Sequence, residues 1–176
     1  HQLTLRNVTL ERCRTASNGG ALQMVSSNLT LRSVQFLNNL ADSNGGAIAF
    51  FGHGDLNVIS SGVLISGNQA SASGGAIQIN GTPVPSFPEV LWSDDGSLRI
   101  QGNSAATGGA IGIFLGTLML ESTGASSDNW IEISGNTAQQ GGAVHINSLQ
   151  PQPIGSFSGV RFVRNRAQSG GAFSSN

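Results

Sequence analysis

The feature that most constrains this chain is a phrase that recurs six times, clearest in Ile133–Ile146, ISGNTAQQGGAVHI. A large apolar residue is followed three positions later by Asn, then by Ala, then by Gly-Gly-Ala and another apolar residue. The glycine pairs are Gly19-Gly20, Gly45-Gly46, Gly74-Gly75, Gly108-Gly109, Gly141-Gly142 and Gly170-Gly171. Their first members are separated by 26, 29, 34, 33 and 29 residues. Self-similarity at such a period marks a stacked array, in which no single repeat can bury its apolar face alone.

The intervals are too long for hairpins, and no apolar residues recur at helical spacing. After each glycine pair the chain alternates instead. Val144 and Ile146 share one face, Ala143 and His145 the other. The same reading buries Leu22/Met24, Ile48/Phe50, Ile77/Ile79 and Ile111/Ile113. A second alternating stretch precedes most of the asparagines, as in Leu29/Leu31, Leu98/Ile100, Ile131/Ile133 and Val160/Phe162. Short strands that must stack to share a core predict an all-β chain, a parallel β-helix of about six coils of 26–34 residues. Parallel crossovers are overwhelmingly right-handed, so the coil is expected to be right-handed. Residues 1–176 read as one such domain, an excerpt of a longer solenoid.

In that frame the motif residues have physical jobs. A glycine pair suits a sharp corner where neighbouring coils press together. Asn39, Asn68, Asn103, Asn136 and Asn165 recur once per coil, at an expected rise of ~4.8 Å. A carboxamide both donates and accepts, so the column can hydrogen-bond along the stack. Cys13 holds the slot in the first copy and interrupts the column. As the single cysteine it excludes an internal disulfide, and it reads as a ladder substitute or small core residue.

Tandem GGA[ILV] and FxxN motifs resemble the repeats of the polymorphic outer membrane protein family, best known from chlamydial surface autotransporters. Gly-Gly-Ala followed by an apolar residue occurs six times. FxxN is literal in Phe36–Asn39 and Phe162–Asn165, Ile replaces Phe in three copies, and the first reads Leu10…Cys13. The resemblance implies a β-helical, extracellular or cell-surface module for adhesion, without catalytic residues or cofactor.

Charged residues make up only 10% of the chain, and the eight basic residues are all Arg against nine acidic ones. A nucleic-acid footprint needs a basic patch, so that class is excluded. No run is apolar and long enough to span a membrane as a helix, and no signal peptide is read. A targeting segment is expected to have been removed or to lie outside this stretch. The sequons begin at Asn7, Asn28 and Asn80, each a possible N-glycosylation site in a eukaryotic source.

Three stretches read as long loops on one corner: Asn80–Ser97, Gly116–Asn129 and Ser148–Gly159. Insertions in a solenoid gather on one side and often form its working surface. Trp92, Asp94, Asp95, Asp128 and Trp130 belong to that region. The tryptophans either plug apolar gaps beneath the loops or form a platform for a carbohydrate or protein partner. Asp94, Asp95 and Asp128 are the one place where carboxylates could approach each other as glycosidase pairs do, at ~5–9.5 Å, or hold Ca²⁺; a solvated turn is the plainer reading. His1, His53 and His145 lie in different coils without metal-ligand spacing, and His145 is expected to point outward.

The expected function is therefore a non-catalytic surface module for adhesion or structural assembly, with no metal or cofactor. Its partner is a protein or glycan at a cell surface, or copies of itself stacked end to end. The alternatives are a carbohydrate-binding or carbohydrate-cleaving β-helix, and an ice-binding solenoid. The last would use the outward column Gln23, Ala49, Gln78, Gly112, His145 and Ser174.

Overall fold

In a computed structural model the alternating stretches wind into a parallel β-helix of about five turns, the number of intervals that six motif copies enclose. Residues 2–52, 56–81, 89–124, 129–147 and 155–175 are described, and among them there is no helix. Strands keep the period-two pattern because that register carries most of the large aliphatics inward.

A six-stranded parallel sheet is built from the segments just after the glycine pairs: Leu22–Val25, Ile48–Gly52, Ile77–Gly81, Ile111–Phe114, Val144–Asn147 and Phe173–Ser175. Its registered column Ile48–Ile77–Ile111–Val144 is buried throughout. Opposite it, Gln2–Glu11 and Asn28–Leu37 pair along almost their whole length in a ten-stranded sheet. The sheet then forks. Leu29–Arg32 pairs with Val58–Ser61, while Gln35–Leu37 pairs with Leu64–Ser66. The fork falls at Ser33, whose φ is 51°, with Gly62 packed against it in the next coil. One limb continues through Glu89–Asp94, Thr117–Ser122 and Gly155–Ser158, the other through Arg99–Gln101, Ile131–Ser134 and Val160–Val163. A third, three-stranded ladder of Arg14–Thr15, Leu40–Ala41 and Gln69–Ala70 lines one corner and runs on as single bridges through Ser104, Thr137 and Arg166.

The three stretches expected to be loops are therefore only partly loop. Each contains a strand of the first limb, because Val90/Trp92 and Leu118/Leu120 alternate and bury as strand residues do. Proline- and serine-rich flanks hid that alternation. Residues 82–88, 125–128 and 148–154 of these stretches lie outside the described residues.

Two corners carry the motif. At the glycine corner, the first glycine of every pair has φ between 60° and 68°. The second has a different constraint. A Cβ on Gly20, Gly46, Gly75, Gly109 or Gly142 would lie 2.0–2.3 Å from a main-chain carbonyl oxygen of the next coil. Backbone packs on backbone there, and no side chain fits.

At the other corner, Asn39, Asn68, Asn103, Asn136 and Asn165 stack. Each Nδ2 donates to Oδ1 of the next asparagine, at 2.9, 3.0, 2.9 and 2.9 Å in turn. The same Oδ1 accepts the preceding asparagine's main-chain N–H, and Nδ2 also reaches back to a carbonyl of the previous coil, as Asn136 does to Ile100 at 3.1 Å. The main-chain N–H of Cys13 donates to Asn39 Oδ1 at 2.9 Å, so this slot keeps the backbone half of the rung while its thiol contacts the Glu11 carbonyl. The residue before each slot (Arg12, Asn38, Gly67, Gly102, Gly135, Arg164) is left-handed in every copy.

Asn136→Ala would leave the buried Asn103 N–H without its partner, and would remove one hydrogen bond each from the Asn103 carboxamide, which keeps the Ile65 carbonyl, and from Asn165 Oδ1, which keeps the Asn136 N–H. An unpaired buried group costs ~1–3 kcal/mol, so chemical denaturation is expected to show a loss of about that size. Asn165→Ala, at a half-buried rung, is expected to lose clearly less. Equal, small losses for both would show that the column does not bind the coils together.

Candidate functional site

Of the two readings of the loop region, Trp92 follows the plug and not the platform, and Asp94 is buried with it. Trp92 is only 2% exposed, because its strand position points into the core. Its ring meets Phe50 edge-on with centroids 6.4 Å apart, and its Nε1 donates to Ser60 Oγ at 2.7 Å. Ser60 in turn donates to Asp94 Oδ2 at 2.5 Å. The other oxygen of Asp94 accepts the main-chain N–H groups of Gly96, Ser97 and Leu98 at 2.7–2.8 Å. Asp94 is thus a buried turn-former. Burial pushes its carboxyl above the ordinary 3.8, against the pull of Ser60 and the main-chain donors. Asp95 is exposed; slight burial raises its carboxyl, but hydrogen bonds from Ser61 and Ser97 outweigh this and hold it below 3.8. Trp130 is exposed, and Asp128 lies outside the described residues, as do His1 and His53. Among the described residues no three His, Cys, Asp or Glu side chains gather where they could hold a metal ion.

Of the sequon asparagines, Asn7 is exposed at a left-handed position and Asn28 is exposed with its Oδ1 accepting the Asn57 N–H. Asn80 is half-buried, and Thr82 of its sequon lies outside the described residues.

The structure instead makes a concave site on the outer face of the six-stranded sheet. The registered column Ala49–Gln78–Gly112–His145 faces outward, yet every member is buried. His145, in this outward column, is 4% exposed. Two raised flanks cause this: Ser73, Thr107 and Gln140 on the side of the glycine corner, and Asn80, Phe114 and Asn147 at the strand ends. Between Gln78 and His145 the side-chain-free Gly112 leaves a notch of about 430 Å³ lined by these residues. A Cβ on Gly112 would lie 2.2 Å from both Gln78 Oε1 and Ser73 Oγ, which converge on that space.

The Gln78 amide is oriented by its neighbours. Its Nε2 donates to the Ile79 carbonyl at 3.2 Å and to Asn80 Oδ1 at 2.9 Å. Turning the amide over would set oxygen against the Ile79 carbonyl. Its Oε1 is therefore left facing the notch, buried and without a hydrogen-bond partner. His145 contacts Ser174 Oγ through Nδ1 at 2.7 Å. Among the described residues no carboxylate bonds the imidazole, so the pair lacks the orienting acid of a hydrolytic triad. No sequence signal marked this site. The column was legible, but its burial depends on flanks supplied by other coils.

The repeat model described as the Chlamydia polymorphic membrane protein repeat matches residues 33–50 and 62–80. These two stretches are similar to that repeat. Each matched segment runs from a strand of the forked sheet, past a ladder asparagine (Asn39, Asn68) and a glycine pair, into the six-stranded sheet. The second ends on Gln78 and Asn80, the lower wall of the notch. The matched repeat is one of surface proteins, and together with the β-helix fold it supports a surface β-helix module. No curated protein and no solved structure matches the chain. No helix among the described residues is long and apolar enough to cross a membrane.

Burial holds the His145 imidazole below its ordinary 6.5, so the folded chain keeps it neutral. The unfolded chain takes up the proton first as pH falls. The stabilising effect of a neutral His145 is therefore fully present above pH 6.5 and lost as pH falls through the depressed folded value. Denaturation midpoints below pH 6.5 are expected to fall faster for the native chain than for His145→Gln, which places at this position the residue found two coils away at Gln78. Parallel pH dependences would contradict the buried neutral imidazole.

Proposed function

We propose that the chain is a non-catalytic cell-surface module that works by adhesion, holding a partner on the side of the β-helix. The observation that carries this reading is the pair of polymorphic membrane protein repeats at residues 33–50 and 62–80, a repeat class of surface proteins. The chemistry of the outer face agrees with it. Among the described residues the notch over Gly112 is lined by amides, hydroxyls, aliphatic and aromatic carbon and one histidine, with no carboxylate, lysine or cysteine. General acid catalysis of glycoside cleavage requires a positioned carboxyl pair. Asp94, the buried acid, is occupied by a serine hydroxyl and three main-chain N–H groups within the wall. Binding without turnover is what such a surface supports.

Beads coated with the folded chain and washed over a panel of cell monolayers test the reading. Retention at least fivefold above beads coated with albumin, on one or more cell types, is the expected result. Retention at the albumin level on every monolayer would refute adhesion. Appearance of new reducing ends when the chain is incubated with plant, bacterial and animal polysaccharides would refute the non-catalytic part.

A further inference from the structure

We propose that the notch over Gly112 is a binding site for a neutral pyranose unit of a glycan, seated between Gln78 and His145 with one face against Phe114. The inference deepens the adhesion reading and rests on it for its biological setting, but its chemistry comes from the notch itself.

Three properties of the notch select this ligand. Among the described residues its lining carries no formally charged Arg, Lys, Asp or Glu side chain to balance a carboxylate, sulfate, phosphate or ammonium group. A charged ligand would lose its hydration without compensation. Its polar groups are carboxamides and hydroxyls, from Gln78, Asn80, Asn147, Gln140, Thr107 and Ser73, which donate and accept in turn. A polyol ring does the same at each carbon and matches such a set better than a ligand that only donates or only accepts. Third, Phe114 is 42% exposed at the rim, giving an apolar ring on which the C–H face of a sugar can rest.

Gln78 Oε1 gives direction to that match. The side chain is 1% exposed, its amide N–H groups are both engaged, and its carbonyl oxygen has no donor. A buried acceptor left unpaired is costly, and native proteins almost always satisfy it. A ligand hydroxyl in the notch supplies the missing donor once the Gln78 amide turns its Oε1 from Gly112 toward it. Gly112 matters because any side chain there would occupy the space into which Gln78 Oε1 and Ser73 Oγ converge. The volume, about 430 Å³, falls in the range of ~300–1,000 Å³ usual for small-ligand sites. A peptide is less well matched. Extended peptides usually dock by adding a strand to a sheet edge, whereas this notch lies on a sheet face whose backbone groups are already paired between coils.

The test applies the purified chain to an array of neutral hexose and N-acetylhexosamine oligosaccharides, with sialylated, sulfated and peptide arms. Binding confined to neutral glycans is expected. Gln78→Met removes the unpaired acceptor at similar length, and Phe114→Ala removes the exposed ring without touching the core. Each is expected to weaken neutral-glycan binding tenfold or more, with Phe114→Ala keeping the native melting temperature within a few degrees. An array blank in its neutral arm, a preference for the sialylated, sulfated or peptide arm, or unchanged binding by a folded Phe114→Ala chain would overturn the proposal. The bead assay separates this from the broader reading. Beads that adhere equally with native and Phe114→Ala chains, beside a blank array, refute the glycan site and leave adhesion standing. Neutral-glycan binding lost on Phe114→Ala, from a chain whose beads do not adhere, supports the site and refutes adhesion.

Discussion

The structure depends on how closely successive coils approach at their corners. At the asparagine corner a carboxamide stands in for a strand, accepting one main-chain N–H and one side-chain N–H from the coil on one side and donating to the coil on the other. Turns ordinarily break a hydrogen-bond ladder, and a solenoid turns at every corner of every coil. The asparagine column carries the ladder through that break, so the strand pairs on either side stay in register. At the glycine corner the same closeness is met by removing atoms, since carbonyl oxygens of the next coil lie where a second-glycine Cβ would be. One corner adds a polar group and the other deletes a side chain. Both answer the fixed spacing between stacked strands.

Much of this architecture was legible in the sequence because it repeats. The inward pairs Ile48/Phe50, Ile77/Ile79 and Ile111/Ile113 are buried as their alternation requires, and the strands stack in parallel. Features outside the repeat were harder to read. The limb through Glu89–Asp94 and Thr117–Ser122 sits where coil lengths vary, so its strands lack a fixed distance from the glycine pairs. Trp92 was ambiguous for the same reason. A tryptophan two residues before an Asp-Asp-Gly turn reads as a surface anchor unless the strand register is known, and that register turns it inward toward Phe50 and Ser60.

The notch was illegible for a different reason. Its residues are ordinary taken singly: a glutamine, a glycine, a histidine and a phenylalanine, each on a strand whose other positions obey the pattern. They become a site only because Ser73, Thr107 and Gln140 rise on one side and Asn80, Phe114 and Asn147 on the other, once per coil. A concavity of that kind is a property of stacking order, and nothing within a single repeat encodes it.

Stacking also explains how the chain tolerates an unpaired buried acceptor at Gln78. An orphaned polar group costs ~1–3 kcal/mol, a serious fraction of the ~5–15 kcal/mol that keeps a typical domain folded. Here the coil bearing Gln78 is fixed at sites far from it along the strand path. Asn68 ties it to Asn39 and Asn103, Gly75 packs on Gly109, and Ile77 and Ile79 lie in the core. None of these contacts uses the outward position. The outer column therefore varies in residue type, from Ala49 through Gln78 and Gly112 to His145, while the register is kept. That separation lets one repeated frame carry a polar, partly unsatisfied surface. Folding is secured by the corners and the inward face, and recognition is left to the side chains that the frame does not need.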